Sequence, residues 1–278
     1  MRLGLFLDGE WSHNFLNLID KKKFDIQYVI GRVKADIKLK KICKKKGIKF
    51  IIKKNINASE SVEFLKKKKT DLLVSLSYDQ IFKEDILKIY KGKIINCHAG
   101  YLPFYRGRNV INWAIANGEK YFGITTHFID KGIDTGKIIL RRKYKIDIND
   151  NYEKILKKAY IHCPKILLKT INLIKSKKKI YFLYQKKFKK KNFYWRKRNE
   201  NDEIINLNLK LYQIHNLIRS ISFPGPGAKL LLKGKKFKLK SSKLIKNNKK
   251  FNFKKKINFY KNFIYIKKNN YILKCSYE

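Results

Sequence analysis

Several things are scarce in this chain, and each scarcity argues against a class of protein. No apolar run approaches the roughly 20 residues that a helix needs to cross a bilayer, so no membrane span is expected. The opening segment, Met1-Arg2-Leu3-Gly4-Leu5-Phe6-Leu7-Asp8, meets an acid at once and lacks the small-residue cleavage site of a signal peptide. It reads as a first core strand, and a cytoplasmic protein is expected. There are four cysteines, Cys43, Cys97, Cys163 and Cys275, at long irregular gaps with no Cys-x-x-Cys pair. That spacing argues against a zinc knuckle, so no metal is expected, and free buried thiols in a reducing compartment are. Arginine is scarce too, at nine of the 68 basic residues. Phosphate forks and guanine edges favour arginine, so nucleic acid is not the expected partner despite a formal net charge of +47. There is no internal repeat of fixed period.

What is present is globular in composition. Of 278 residues, 44% are hydrophobic and 14% aromatic, enough for one large domain and a smaller one. The basic residues are overwhelmingly lysine, amid abundant Ile, Asn, Tyr and Phe. That excess reads as drift toward A/T-rich codons and a solvated coat; a polyanion-binding surface is the lesser reading. The charge would still attract an anionic substrate.

Along the first 180 residues, strand and helix patterns alternate. Strands are predicted at 3–7, 26–30, 50–52, 71–76 and 93–96, and helices at 14–20, 36–46, 59–68, 85–90 and 152–174. The run Asp71-Leu72-Leu73-Val74-Ser75-Leu76 suits a strand buried on both faces, as a parallel sheet requires. The pattern predicts an α/β fold: a Rossmann-like, mostly parallel sheet with helices on both faces. Ligands then bind beyond the carboxyl ends of the strands. Lysine runs at 176–179 and 186–191 bracket a strand-like 180–184. The expected organisation is a catalytic domain at 1–180, a linker at 181–193 and a small, mainly β domain at 194–278. In that last part a helix is predicted at 208–220, and a hard Pro/Gly turn follows at 223–228. Short strands at 229–232, 236–240, 258–260, 263–266 and 271–274 suggest a small barrel or sandwich, with a Lys/Asn loop at 246–256.

The most informative stretch is Ile95-Asn96-Cys97-His98-Ala99-Gly100-Tyr101-Leu102-Pro103-Phe104-Tyr105-Arg106-Gly107-Arg108, followed by Asp134 within Gly132-Ile133-Asp134-Thr135-Gly136. It puts an amide, an imidazole and a carboxylate in a strand, tight loop, helix frame. Acyl transfer to an amine needs a positioned neutral amine, stabilised charge on the acyl oxygen and proton movement from nucleophile to leaving nitrogen. Asn96 offers a neutral donor. His98, two residues on, shares its strand face and suits a general base or a charged second donor. Asp134 suits orienting the imidazole and relaying protons. Gly100, Pro103 and Gly107 keep the loop tight. On spacing alone an Asn-x-His on a strand is more often structural, and Asp134 could simply cap a turn.

The order and spacing of Asn96-x-His98, Leu102-Pro103, Tyr105-Arg106-Gly107, Trp113-Ala114-Ile115, Asn117-Gly118-Glu119, Gly123-Ile124-Thr125 and Asp130-x-Gly132-x-Asp134-Thr135-Gly136 resemble the folate-dependent formyltransferases. The resemblance implies 10-formyltetrahydrofolate as co-substrate and Asn96, His98 and Asp134 as a catalytic triad. It implies a pterin-holding loop at Ser77, Tyr78, Ile81 and Phe82, with Ile129 and Asp130 in a loop that closes over it. Further on, residues 194–198, Ile204, Ile214-His215-Asn216-Leu217-Ile218-Arg219-Ser220 and Pro226-Gly227-Ala228 resemble the C-terminal domain shared by methionyl-tRNA and sugar formyltransferases.

Within that group, Tyr105-Arg106-Gly107-Arg108 followed by Asn112-Trp113 is more similar to enzymes that formylate nucleotide-linked amino sugars than to the Trp-Arg-Gly-Ala-Ala-Pro of the tRNA enzymes. The Gly-Thr-Pro opening of the tRNA enzymes and the phosphate loop of the glycinamide ribonucleotide enzymes are both missing. The resemblance implies a dTDP- or UDP-linked amino sugar as substrate, for surface glycans such as O-antigen or lipopolysaccharide. Tyr101, Tyr105, Arg106, Gly107 and Asn109 would contact it. Trp113 is an alternative platform or a core residue. A homodimer through the C-terminal strands is a further expectation. The alternatives are a methionyl-tRNA formyltransferase and an RNA-binding protein on a degenerate formyltransferase fold; a binding module has no use for the three triad residues together.

Overall fold

The unbroken apolar runs become the central strands of a seven-stranded sheet in a computed structural model that describes residues 1–188, 194–247, 253 and 255–278. Strands β1 (Arg2–Leu7), β2 (Asp25–Gly31), β3 (Phe50–Ile52), β4 (Leu72–Leu76) and β5 (Ile94–His98) run parallel in the order β3-β2-β1-β4-β5. Helices α1 (Gly9–Leu18), α2 (Ile37–Lys45), α3 (Ser59–Lys68) and α4 (Glu84–Ile89) connect them. All of β4 is buried, as its sequence requires. The strand order reverses between β1 and β4, the position where such sheets bind ligands.

Two-residue β6 (Arg106–Gly107) and α5 (Val110–Ala116) follow. Then β7 (Tyr121–Phe128) runs antiparallel beside β5, and β8 (Ile138–Lys145) forms the sheet edge. Neither β7 nor β8 was assigned from sequence: β7 contains Gly123, and β8 carries the charged run Arg141-Arg142-Lys143. The sheet is therefore mostly parallel, with an antiparallel margin. Long helix α6 (Tyr152–Lys175) buries Ile155, Ala159, Cys163, Leu167 and Ile171 along one stripe.

Side chains alternate across β5, and this places helices on both faces. Ile94 joins a core with Phe6, Tyr28 and Leu73 from the strands and Val62, Leu65 and Ile86 from α3 and α4. Cys97 points the other way, its thiol 3.6 Å from the Cys163 carbonyl on α6. Helix α1 begins at Gly9, well before the predicted start at 14. Gly9 sits at φ +69, which lets the chain turn out of β1 at once.

By packing, one compact unit comprises Met1–Arg106, Gly123–Lys143 and Lys158–Tyr194, and the other comprises Gly107–Phe122, Tyr144–Lys157 and Trp195–Glu278. In the second unit, beyond β9 (Tyr194–Trp195), lie α7 (Leu211–Ser220), β10 (Ala228–Leu232), β11 (Lys235–Lys246), β12 (Ile257–Tyr260), β13 (Phe263–Lys268) and β14 (Tyr271–Tyr277). The strands form one antiparallel sheet in the order β10-β11-β14-β13-β12. Leu211, Ile214 and Ile218 of α7 pack on Leu230, Leu239, Ile264 and Leu273. Helix α7 covers the buried face of this sheet with its apolar stripe, and the sheet curls enough for Phe237 of β11 to meet Phe259 of β12, ring centroids 5.3 Å apart. The predicted loop at 246–256 falls mostly outside the described residues, as does the end of the predicted linker, 189–193. Among the described residues no helix is long and apolar enough to cross a membrane.

Candidate active site

Asn96 and His98 lie on one face at the carboxyl end of β5. The antiparallel register sets His127 of β7 opposite Asn96. After β7 the chain turns back through a loop closed on Asp130, whose Oδ1 accepts from Gly132 N at 3.1 Å and Thr135 Oγ1 at 2.5 Å. That loop presents Asp134 in the left-handed region at φ 53, where aspartate is better tolerated than most residues. The Asp134 carboxylate stands between two imidazoles: Oδ2 is 3.6 Å from His98 Nδ1 and Oδ1 is 3.4 Å from His127 Nε2. Asn96 Nδ2 lies 3.4 Å from the same His127 nitrogen. The site is largely dry, with the His98 and Asp134 side chains 10% and 13% exposed and His127 2%.

Hydrogen bonding fixes which nitrogens can react. His98 Nε2 donates to the Tyr105 carbonyl at 2.6 Å, and His127 Nδ1 donates to the Phe128 carbonyl at 2.8 Å. A carbonyl only accepts, so those nitrogens carry hydrogen. His98 Nδ1 and His127 Nε2 are left to take up or release a proton, and both face Asp134. One carboxylate thus stands within reach of a ring nitrogen from each of two imidazoles. Gly100 makes the His98 geometry possible, since a Cβ there would collide with both the Tyr105 carbonyl and His98 Nε2.

The predicted pterin loop is gripped at both ends. Ser77 is left-handed at φ 60, and its carbonyl accepts from Arg32 Nη2 at 2.5 Å. The Arg32 Nε atom lies 3.3 Å from Asp8 and 3.8 Å from Asp79. Burial raises the Asp8 carboxyl pKa, opposed by the charge of Arg32. Gln80 ties the far end to the chain before α3, accepting from Ile56 N at 2.7 Å and donating to the Lys53 carbonyl at 3.0 Å. Ile81 is 62% exposed, whereas Phe82 is 4% exposed and packs into the core. Tyr78 lies against Phe6, with ring centroids 5.3 Å apart. Ile129 packs against the same core, and the Asp130 carboxylate is spent on its own loop.

The predicted substrate residues divide. The Tyr101 ring is flanked by Arg141 and Lys143, 4.5 and 4.7 Å from its centroid. The Tyr105 side chain is buried, and the residue contributes its carbonyl to His98. Arg106 donates Nε and Nη2 to Gln185 Oε1 at 2.9 and 2.8 Å. Gly107 and Asn109 belong to the other compact unit, where Asn109 Oδ1 accepts from Arg198 N at 3.0 Å. Trp113, in that unit, stacks on Trp195 and donates Nε1 to the Arg196 carbonyl at 3.0 Å, so its ring is packed. Sequence reasoning missed His127, Arg32 and Gln185. The signal for His127 was its place in the run Gly123-Ile124-Thr125-Thr126-His127 just ahead of the Asp134 loop; Gln185 sits in the stretch taken as linker and gave none.

Comparison with known proteins agrees with the fold. The formyl transferase family model matches residues 13–171, and the model for the formyl transferase C-terminal domain matches 197–277. The chain is 34% identical over 252 residues to the bifunctional polymyxin resistance protein ArnA of Wigglesworthia glossinidia brevipalpis, covering 88% of this chain and 38% of that protein. It is 34% identical over 209 residues to the methionyl-tRNA formyltransferase of Clostridium tetani, covering 74% of this chain and 66% of that protein. The chain thus spans well under half of the first relative's length and about two thirds of the second's. Among solved structures, the sugar 3N-formyl transferase WlaRD, determined with dTDP and 5-N-formyl-THF, superposes with a TM-score of 0.75 at 24% identity, covering 100% of this chain and 97% of that one. An N-formyltransferase from Helicobacter canadensis, in complex with folinic acid and dTDP-3-aminofucose, gives a TM-score of 0.74 at 22% identity and 99% coverage of both chains.

Proposed function

The chain belongs to the formyl transferase family, and we propose that it transfers a formyl group from 10-formyltetrahydrofolate to the amine of a dTDP- or UDP-linked amino sugar destined for a surface glycan. The observation that carries formyl transfer is the Asp134 carboxylate placed between two imidazoles, each with one nitrogen fixed by a carbonyl. The folate, when bound, supplies the formyl group and the leaving nitrogen. Asn96 Nδ2 donates to the formyl oxygen as it gains negative charge. His98 Nδ1 takes the proton lost by the attacking amine, and Asp134 holds the resulting imidazolium and passes a proton on toward the leaving nitrogen. His127 steadies Asp134 from its other side. The backbone of 77–82, held by Arg32 and Gln80, with the exposed Ile81, is the part of this chain that fits a flat bicyclic ring.

The sugar substrate is supported by Tyr105-Arg106-Gly107-Arg108 with Asn112-Trp113, and by end-to-end likeness to two structures solved with dTDP or a dTDP-amino sugar. Methionyl-tRNA is the second reading, favoured by the 34% identity to a methionyl-tRNA formyltransferase. The test offers 10-formyltetrahydrofolate with dTDP-4-amino-4,6-dideoxyglucose, its 3-amino isomer, UDP-4-amino-4-deoxyarabinose and methionyl-tRNA in parallel. Turnover of a nucleotide sugar is expected; turnover of methionyl-tRNA with none of any sugar would overturn the sugar reading.

A further inference from the structure

Gln185 lies in a 3-10 turn (Gln185–Lys187) within the stretch read from sequence as a linker, yet it is 3% exposed. The segment is fastened beside the start of β8 by a pair of backbone bonds between Ile138 and Leu183, at 3.0 and 3.1 Å. From there the Gln185 amide is fully used. Its Oε1 accepts two N–H groups of Arg106, at 2.9 and 2.8 Å, and its Nε2 donates to the carbonyls of Asp134 at 2.9 Å and Gly136 at 2.7 Å. One neutral side chain therefore ties a guanidinium to the backbone on both sides of Thr135, in the loop that presents the carboxylate. Only an amide meets both demands. A carboxylate would repel the two carbonyls, a cation would repel Arg106, and an apolar group would make none of these four hydrogen bonds.

We propose that Gln185 is a positioning residue, which holds the Arg106 guanidinium in fixed register with the Asp134 carboxylate so that the phosphate-bearing part of the substrate and its amine are placed together. The inference rests on the reading given above, that the chain formylates an amine on an anionic molecule and that Arg106 contacts that molecule. Gln185 does not touch the reacting atoms, so its effect has to show in how substrate binding and turnover divide.

The full-length chain is assayed with the amine substrate that the wild type turns over in the panel above. Gln185→Ala is expected to raise KM for that substrate about 10-fold, the scale of one hydrogen bond to a charged group, while KM for 10-formyltetrahydrofolate stays within about 2-fold. Gln185→Glu keeps an acceptor for Arg106 but opposes the two carbonyls, so KM for the amine substrate should stay near wild type while kcat falls. That isosteric variant keeps the test alive if the alanine variant does not fold. The proposal is overturned if both variants match the wild type, or if both lose activity with neither KM altered, as a smaller folded fraction would produce. Arg106→Ala separates the two readings. If it leaves KM for the amine substrate unchanged, Arg106 does not contact substrate and the proposal falls with that reading. If it raises KM while both Gln185 variants behave as wild type, only the role of Gln185 is lost. Turnover of none of the amines removes both.

Discussion

Two buried clusters in this molecule draw on the same residue types and differ in what they leave unspent. In the C-terminal unit, His215 Nε2 donates to the Ile148 carbonyl at 3.0 Å and its Nδ1 accepts from Ser242 Oγ at 2.8 Å. Arg219 donates to the carbonyls of Asp147 at 3.1 Å and Asp150 at 2.7 Å, and to Asn216 Oδ1 at 2.9 Å. This network fastens residues 147–150 to α7. In the α/β unit, His98 and His127 each commit one nitrogen to a carbonyl and turn the other toward Asp134 at 3.6 and 3.4 Å. Burial and residue type are alike in the two places. On the proposed function, reactivity belongs to the cluster in which two imidazoles face one carboxylate.

Damage to the first cluster should therefore cost stability, and damage to the second should cost turnover. The largest effect is expected from His98→Ala, a loss of about 10²- to 10⁴-fold in kcat, the range for removing a group that moves a proton, with the melting temperature little changed. Turnover close to wild type would take His98 out of the mechanism. Next comes Gly100→Ala, which leaves every polar group in place but drives a methyl into the His98–Tyr105 hydrogen bond. A displacement of that kind should cost about 10²-fold in kcat. A kcat within about twofold of wild type would mean that the position of the ring does not matter.

Much of this was legible before the structure. The segments 3–7 and 71–76 are apolar runs suited to burial in a parallel sheet, and the grouping of Asn96, His98 and Asp134 was implied by the family resemblance rather than by their spacing. What stayed hidden depends on tertiary pairing. His127 becomes part of the site only because β7 runs antiparallel beside β5 and sets it opposite Asn96. Gln185 stands among lysines with no periodicity, and the Ile138–Leu183 bridge helps bring it to the Asp134 loop. Phe82 lies in the predicted pterin loop with its ring in the core, so only its backbone faces that loop's ligand side as the resemblance implies.

On the stability side, Arg219→Ala removes a 6% exposed guanidinium and leaves the carbonyls of Asp147 and Asp150 without their donor. Unfolding by denaturant should show a loss of about 2–4 kcal/mol, the scale of charged hydrogen bonds lost in a buried network, with kcat per folded molecule unchanged. A fall in kcat without a fall in stability would reverse the roles assigned to the two clusters.

The smallest effect is a pH dependence. Burial lowers the His215 pKa, and the nearby charge of Arg219 lowers it further. The unfolded chain therefore binds a proton that the folded chain refuses. Folded stability from this group is complete above the ordinary histidine range, near pH 6.5, and is lost progressively as pH falls through that range to the lowered folded value. The melting temperature should drop on going from about pH 7.5 to about pH 5, and His215→Gln, which cannot titrate, should flatten that part of the curve. An unchanged slope in the variant would mean that His215 takes up its proton in the folded protein. The C-terminal cluster would then take up a proton as the candidate site is proposed to, and the distinction between the two would fail at its simplest point.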